Sequence, residues 1–435
     1  MTLLAGPMAP IPGHQLLVFL VQIFLLLGAG LLLGRLAIRL RMPAIAGELC
    51  AGVLLGPSVL GWALPGPASW IFPAVPEQTH LVDAVGQIGV LLLVGIAGMN
   101  IDLALIRKKG VAAAWVSVGG LLVPLGLGIA TGYALPAALV AQGSDRTVFA
   151  WFLGVALCVS AIPVIAKTLM ELRLMHRDVG QLIISAAAVD DVVGWLLLAV
   201  VSAMATTGVR TGNVALAVAY LLLAVLFAAT AGRYLVNSAL RAAARSPERG
   251  VTVAVVSVVL IASAAGTQAL GMEGVAGTLF AGILIGSSGW VDRERIAPLR
   301  TLVVSVLAPI FFAAAGLRMD LTALAQPSIL LAAVGVVAVA VAGKFAGVYL
   351  TSRIARLDHW TALALGAGLN ARGVIEVIIA MTGLRLGVLN SAMYTIVILT
   401  ALATSLMAPP MLRYAVRHIA ITTQEKQRER LIVPG

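Results

Sequence analysis

The stretches GELCAGVLLGPS, residues 47–58, and GTLFAGILIGSS, residues 277–288, align without a gap and share glycines at 47/277, 52/282 and 56/286. A second pair follows in the same order: VGIAGMNIDL, ending at Leu103, and FAAAGLRMDL, ending at Leu321. The two offsets, 230 and 218 positions, mark an internal repeat. What the repeat means for the fold depends on how often the chain changes sides between its copies.

Composition says what the chain crosses. Of its 435 residues 61% are hydrophobic and 11% charged, with a mean hydropathy of +1.05, whereas a soluble domain carries roughly 25% charged residues. This is an all-α polytopic membrane protein. Apolar segments that approach the length needed to span about 30 Å of hydrocarbon lie at 15–38, 43–62, 81–101, 111–133, 147–170, 179–205 and 213–232. Six more follow at 251–270, 272–288, 297–317, 327–350, 360–383 and 390–412, making thirteen. No basic region precedes the first run, which is too long for a cleavable signal, so it is read as the first span.

Thirteen crossings forecast that lysine and arginine collect in alternate loops, on the cytoplasmic side. Of the 29 basic residues, 22 fall in one set of loops, from Arg35, Arg39 and Arg41 through to the tail's Arg413, Arg417, Lys426, Arg428 and Arg430. The opposite set holds only Arg146, Arg210, Arg318 and Arg385. The N-terminus is therefore expected outside and the C-terminus inside. The net charge of +11 follows from this topology, and the charges form no basic face for nucleic acid. Cys50 and Cys158 have no spacing partners and read as packing residues.

With this numbering the second segment pairs with the ninth and the third with the tenth. A shift of seven crossings is odd, so the copies run in opposite directions. Such inverted-topology repeats belong to secondary transporters, whose sites form near the midplane where interrupted helices meet. Extending the pairing matches the fifth segment with the twelfth. The fifth carries CVSAIPVIAK, where Pro163 removes a backbone donor and disfavours helix before it, so a break is expected near Ser160 and Ala161. The twelfth carries GAGLNARGVIE, with glycines 366, 368 and 373 around Asn370 weakening the helix.

Against this apolar background stand five deep ionisable residues: Asp190 and Asp191 in SAAAVDDVVGW, Lys344, and Arg372 with Glu376. Each ionised group costs roughly 2.5–3.5 kcal/mol at the bilayer centre on insertion scales, so each needs a reason. Adjacent helical residues point about 100° apart, so Asp190 and Asp191 cannot face one partner. One is expected to meet Lys344. The other, stripped of water, holds a proton or a small hard cation, but not both, which is the physical basis of cation/proton exchange. Ser160, carbonyls freed at the helix break and Asn370 are candidate hard-oxygen ligands. Arg372 and Glu376, spaced i, i+4, read equally as a structural bridge. Glu48, Asp83 and Lys167 lie nearer a surface and read as structural. The histidines sit in loops or near segment ends, which argues against a transition-metal site.

At these residues the chain resembles the monovalent cation:proton antiporter superfamily, in its branch of bacterial sodium/proton and potassium/proton exchangers. GELCAGVLLGPSVLG, SAIPVIAK, AAAVDDVVGW, APIFFAAAGLRMDL and LNARGVIEV are similar to that family's blocks, in its order, over residues 43–405. The resemblance implies a protomer of thirteen helices with two crossed broken helices, a dimerisation domain and a mobile core domain that moves like an elevator. It implies that Asp191 carries the cation and proton, that Asp190 pairs with Lys344, and that an aspartate at the first position goes with electrogenic exchange. It further implies a homodimer in the cell (inner) membrane with a role in pH homeostasis. No cofactor is expected beyond the transported sodium or potassium and protons. The exchanger domain is expected over residues 1–417, with repeat one at 15–205, a linker span at 213–232 and repeat two at 251–412. Residues 418–435 are expected to form a short cytoplasmic tail, without room for the nucleotide-binding domain that many potassium-efflux relatives carry. Departures from the family's pattern are Ser160 and Ala371, where threonine is commoner, and Gly194, where alanine is usual.

Competing readings are potassium/proton exchange on the same fold, sodium-coupled uptake of an organic anion, an intramembrane aspartyl protease and a passive channel. A protease needs carboxylates flanking one water, which helical neighbours cannot do, so the chain is not read as an enzyme. Channels use rings of charges or carbonyls rather than one acid pair.

Overall fold

A computed structural model describes residues 11–40, 42–73, 75–99, 110–174, 177–207, 226–270, 273–291 and 293–422, with single positions 219, 223 and 425. In chain order the helices are α1 (Gly13–Arg39), α2 (Ala44–Leu55), α3 (Leu60–Ala63), α4 (Pro65–Ile71), α5 (Pro76–Met99), α6 (Gly110–Ala134), α7 (Arg146–Cys158), α8 (Ile162–Glu171) and α9 (Asp178–Thr207). They continue as α10 (Arg233–Ala244), α11 (Arg249–Ala269), α12 (Gly274–Ser287), α13 (Arg293–Leu302), α14 (Ala308–Leu317), α15 (Pro327–Ile354), α16 (His359–Leu369), α17 (Val374–Arg385) and α18 (Ser391–Val416). Asp145, Asp358 and Asn390 accept the first free N–H groups of α7, α16 and α18, fixing where those helices begin.

Among the described residues nine helical stretches are long and apolar enough to cross a membrane, or ten when α16 and α17, bent by 47°, count as one span. The expected seventh segment, 213–232, lies largely outside the described residues. The second segment is not continuous. Its helix stops at Leu55, before Gly56 and Pro57, and resumes only as the four-residue α3, because proline supplies no N–H to continue the ladder.

The chain divides into two compact units, one of residues up to Gly89 with Val303–Met319, the other of Val90–Leu302 and Asp320 onward. In the first unit α1 buries Val18, Gln22, Leu26, Gly30, Gly34 and Ala37, a helical stripe spaced by threes and fours. Glu48, placed by sequence near a helix start, is the fifth residue of α2 and is buried, facing α1 at Gly34. Asp83 pairs with Arg318 at 2.5 Å.

The repeat glycines are where helices come closest. A Cβ added at Gly47 would lie 2.1 Å from the carbonyl oxygen of Leu33, and one at Gly277 would lie 2.1 Å from that of Ser263. In the same way Gly52 meets the Ala313 oxygen at 1.9 Å in the first unit, and Gly282 meets that of Gly95 at 2.2 Å in the second. Gly56 meets Leu317, and Gly286 meets Met99. Each partner pair is displaced by the same 230 or 218 positions that relate the sequence copies. Small residues let backbones approach where lipid supplies no hydrophobic drive, so the glycines mark contacts rather than turns.

In the second unit α6 and α15 touch glycine on glycine, Gly119 against Gly347. Around them lie two interrupted helices, α7/α8 and α16/α17, together with α9 and α18.

Candidate ion site

Both expected interruptions are present. Residues 159–161 are non-helical between α7 and α8, and 370–373 between α16 and α17. α8 restarts with Pro163 in its first turn, where a missing N–H costs nothing. The two breaks are joined: Ala161 N donates to Ala371 O at 3.0 Å, and Ser160 Oγ lies 2.7 Å from Leu369 O.

An interrupted helix leaves carbonyls at the end of its first half without intrahelical donors and a partial negative charge there. At the end of α7 two cations take them up. Lys344 Nζ, from α15, donates to Cys158 O at 2.8 Å, to Gly120 O at 2.8 Å and to Asp190 Oδ2 at 2.7 Å. An ammonium has three protons, so Lys344 is saturated. Arg372 donates to Leu157 O at 2.5 Å, Ala156 O at 3.3 Å and Ala340 O at 3.3 Å, and pairs with Glu376 at 2.8 Å. Glu376 stands in the first turn of α17, the end of the helix that favours a carboxylate. These carbonyls, expected from sequence as cation ligands, are instead occupied by the protein's own positive groups.

Asp190 is wholly buried and fully engaged. Besides Lys344, its Oδ2 lies 2.9 Å from Ser160 Oγ, and its Oδ1 accepts from Ser117 Oγ at 2.7 Å. Asp191, one position on, has no hydrogen-bond or ion-pair partner among the described residues and is 7% exposed. The 100° between neighbours on α9 divides the two acids as expected. Asn370 is wholly buried, and among the described residues neither its Nδ2 nor its Oδ1 has a partner; Glu376 Oε2 is likewise open.

Sequence reasoning missed Ser117 and the carbonyl of Gly120, both on α6. A buried hydroxyl beside two glycines, in VSVGG, was the signal available. Gly194, a departure from the family pattern, has a physical reason here: a Cβ would lie 2.7 Å from Val159 Cγ2, at the helix break itself. Among the described residues no cluster of three metal-ligating side chains occurs.

The chain is similar to known proteins in sequence and in fold. The family model described as sodium/hydrogen exchanger, transmembrane, matches residues 18–418. The Na(+)/H(+) antiporter NhaS4 of Synechocystis sp. is 31% identical, covering 92% of this chain and 97% of its own. The Na(+)/H(+)-K(+) antiporter GerN of Bacillus cereus is 29% identical over 91% of this chain and 96% of its own. Cation/H(+) antiporter 19 of Arabidopsis thaliana is 31% identical, and the chain spans 46% of that longer protein. The sodium proton antiporter MjNhaP1 from Methanocaldococcus jannaschii shares the fold, with a TM-score of 0.69 over 93% of this chain and 99% of its own at 16% identity. By the family model and the identity to NhaS4, the chain belongs to the sodium/hydrogen exchanger family.

Proposed function

We propose that the protein exchanges a monovalent cation, sodium, for protons, with Asp191 as the carrier of both. The observation that supports this is a charge count. Asp190 is neutralised by Lys344 and Glu376 by Arg372, each pair wholly buried, which leaves Asp191 as the uncompensated acid at the crossing of the broken helices. An unpaired carboxylate away from water must acquire a positive partner, and a proton or an alkali ion serves equally. Ser160 and Asn370 supply oxygens for the ion, with Ala161 and Pro163 shaping the break beside them.

The glycine contacts that recur at offsets of 230 and 218 support an inverted-topology repeat, and with it thirteen crossings and alternating access. In this reading a core domain moves like an elevator within a homodimer in the cell membrane. The alternation of lysine and arginine puts the N-terminus outside and the C-terminus in the cytoplasm. In this reading exchange is electrogenic, which rests on the resemblance of the Asp190–Asp191 pair to that of exchangers with an aspartate at the first position. The description of GerN as a Na(+)/H(+)-K(+) antiporter favours potassium as the second cation to test.

The assay is cation uptake into proteoliposomes driven by a pH gradient. Asp191→Asn is expected to abolish it. Exchange at the wild-type rate in that variant would refute the assignment.

A further inference from the structure

The helix that carries both acids is gripped at its start by residues some 242 positions later. Arg177, 5% exposed, precedes Asp178, the first residue of α9, and accepts the first intrahelical bond, from Gln181 N at 3.0 Å. Its Nη2 donates to the carbonyls of Ile419 at 3.1 Å and Ala420 at 3.2 Å, and its Nε lies 3.1 Å from Glu425 Oε1. Glu425, 3% exposed, accepts from Asp178 N through Oε1 at 2.7 Å and from Thr422 N through Oε2 at 2.8 Å. One orphan N–H of α9 is thus capped by a carboxylate from the far end of the chain.

The segment between α18 and Glu425 is pinned at its other end too. The His418 ring stacks on Trp360 at 3.8 Å with an 11° interplanar angle, and Ile419 packs on the cluster that contains Leu174, Val179 and Ile183. Residues 418–422 and Glu425, in what the sequence reads as a short cytoplasmic tail, therefore strap the start of α9. An arginine and a glutamate this deeply buried are costly unless paired.

We propose that Arg177 and Glu425 are positioning residues for ion exchange, holding α9 in the register that aims Asp190 at Lys344 and leaves Asp191 unpaired. The proposal rests on the exchange reading above. Asp190 and Asp191 lie twelve and thirteen residues beyond Asp178, about 18–20 Å along a rigid helix. At 2.7 Å from both Lys344 and Ser117, a slide or twist of about 1 Å takes Asp190 out of hydrogen-bond range. Lys344 and Ser117 are then free to reach Asp191, in competition with the cation.

The test uses the full chain in proteoliposomes, with sodium as the transported ion and hydrogen exchange read by mass spectrometry. Glu425→Gln is expected to raise the apparent KM for sodium about threefold to tenfold at nearly constant maximal rate. Amides 178–182 are expected to exchange about tenfold faster. Truncation after Ile421 should match it, and Glu425→Asp, which keeps the charge and shortens the reach, should fall between. An unchanged KM, or a lowered melting temperature with loss of maximal rate alone, overturns the proposal. If wild-type protein moves neither sodium nor potassium, the exchange reading falls instead. If wild type exchanges and Glu425→Gln is indistinguishable from it, only the strap's role falls.

Discussion

Lys344 Nζ and Asp190 Oδ2 lie 2.7 Å apart with both side chains wholly buried, and the lysine's remaining protons go to backbone carbonyls of α6 and α7. Removing one partner of a buried pair leaves an uncompensated charge, at a cost of about 3–5 kcal/mol, whereas replacing both with apolar groups of similar volume is often neutral. Lys344→Met and Asp190→Leu should each lower the melting temperature sharply, and the double variant should recover most of the loss. Additive losses, measured by thermal unfolding in detergent, would show that the two do not act as a pair.

Ser117 is the less obvious partner of Asp190, at 2.7 Å through a buried hydroxyl. Hydrogen bonds to charged groups contribute about 1.5–3 kcal/mol. Ser117→Ala is expected to destabilise by that amount and to slow exchange, while Ser117→Thr keeps the hydroxyl and most of the activity. Equal behaviour of the two variants in transport assays would remove Ser117 from the site.

Gly194 faces Val159 closely enough that an added methyl must push it aside. Overpacking of this kind costs about 1–3 kcal/mol, and here the displaced residue is in the break between α7 and α8. Gly194→Ala should lower both stability and sodium affinity, and Gly194→Ala with Val159→Ala should restore both. Rescue of stability without affinity would separate packing from the site.

Two acids outside the membrane-spanning segments set a pH dependence. At Glu425 burial pushes the carboxyl up, but the N–H groups of Thr422 and Asp178 and the Arg177 guanidinium outweigh it and hold it below the usual range. At Asp358 the effect of burial is likewise outweighed, by the hydroxyl and N–H of Thr361 and the N–H of Trp360. A carboxyl depressed in the folded state contributes stability in full above its unfolded value, and that contribution is lost as pH falls through the folded one. Amides at the starts of α9 and α16 should therefore exchange with constant protection at neutral pH and lose it below about pH 4. Protection falling between pH 8 and 6 would contradict this sign. Asp358→Ala should cost about 1 kcal/mol at neutral pH and much less in acid.

The polytopic membrane character, the glycines at close helix contacts and the acid pair were legible in the sequence, because each is a one-dimensional signal. Hydrocarbon thickness sets segment length, glycines recur at close helix contacts, and an acid in an apolar run is conspicuous. Pro163 and the glycines around Asn370 placed both helix breaks within a few residues, since backbone donors and helix propensity are local properties.

What the sequence could not decide was which group answers which. That Lys344 and Arg372 take the carbonyls left at the end of α7, that Ser117 meets Asp190, and that Glu425 caps α9 are pairings between residues 73 to 247 positions apart. Such pairings depend on where helices cross, and crossing is settled by packing across the whole bundle, which no local pattern encodes. The sequence by itself determined that buried acids exist and that two other helices are interrupted; only the tertiary structure decided that Asp190 is the satisfied one and Asp191 the one left open.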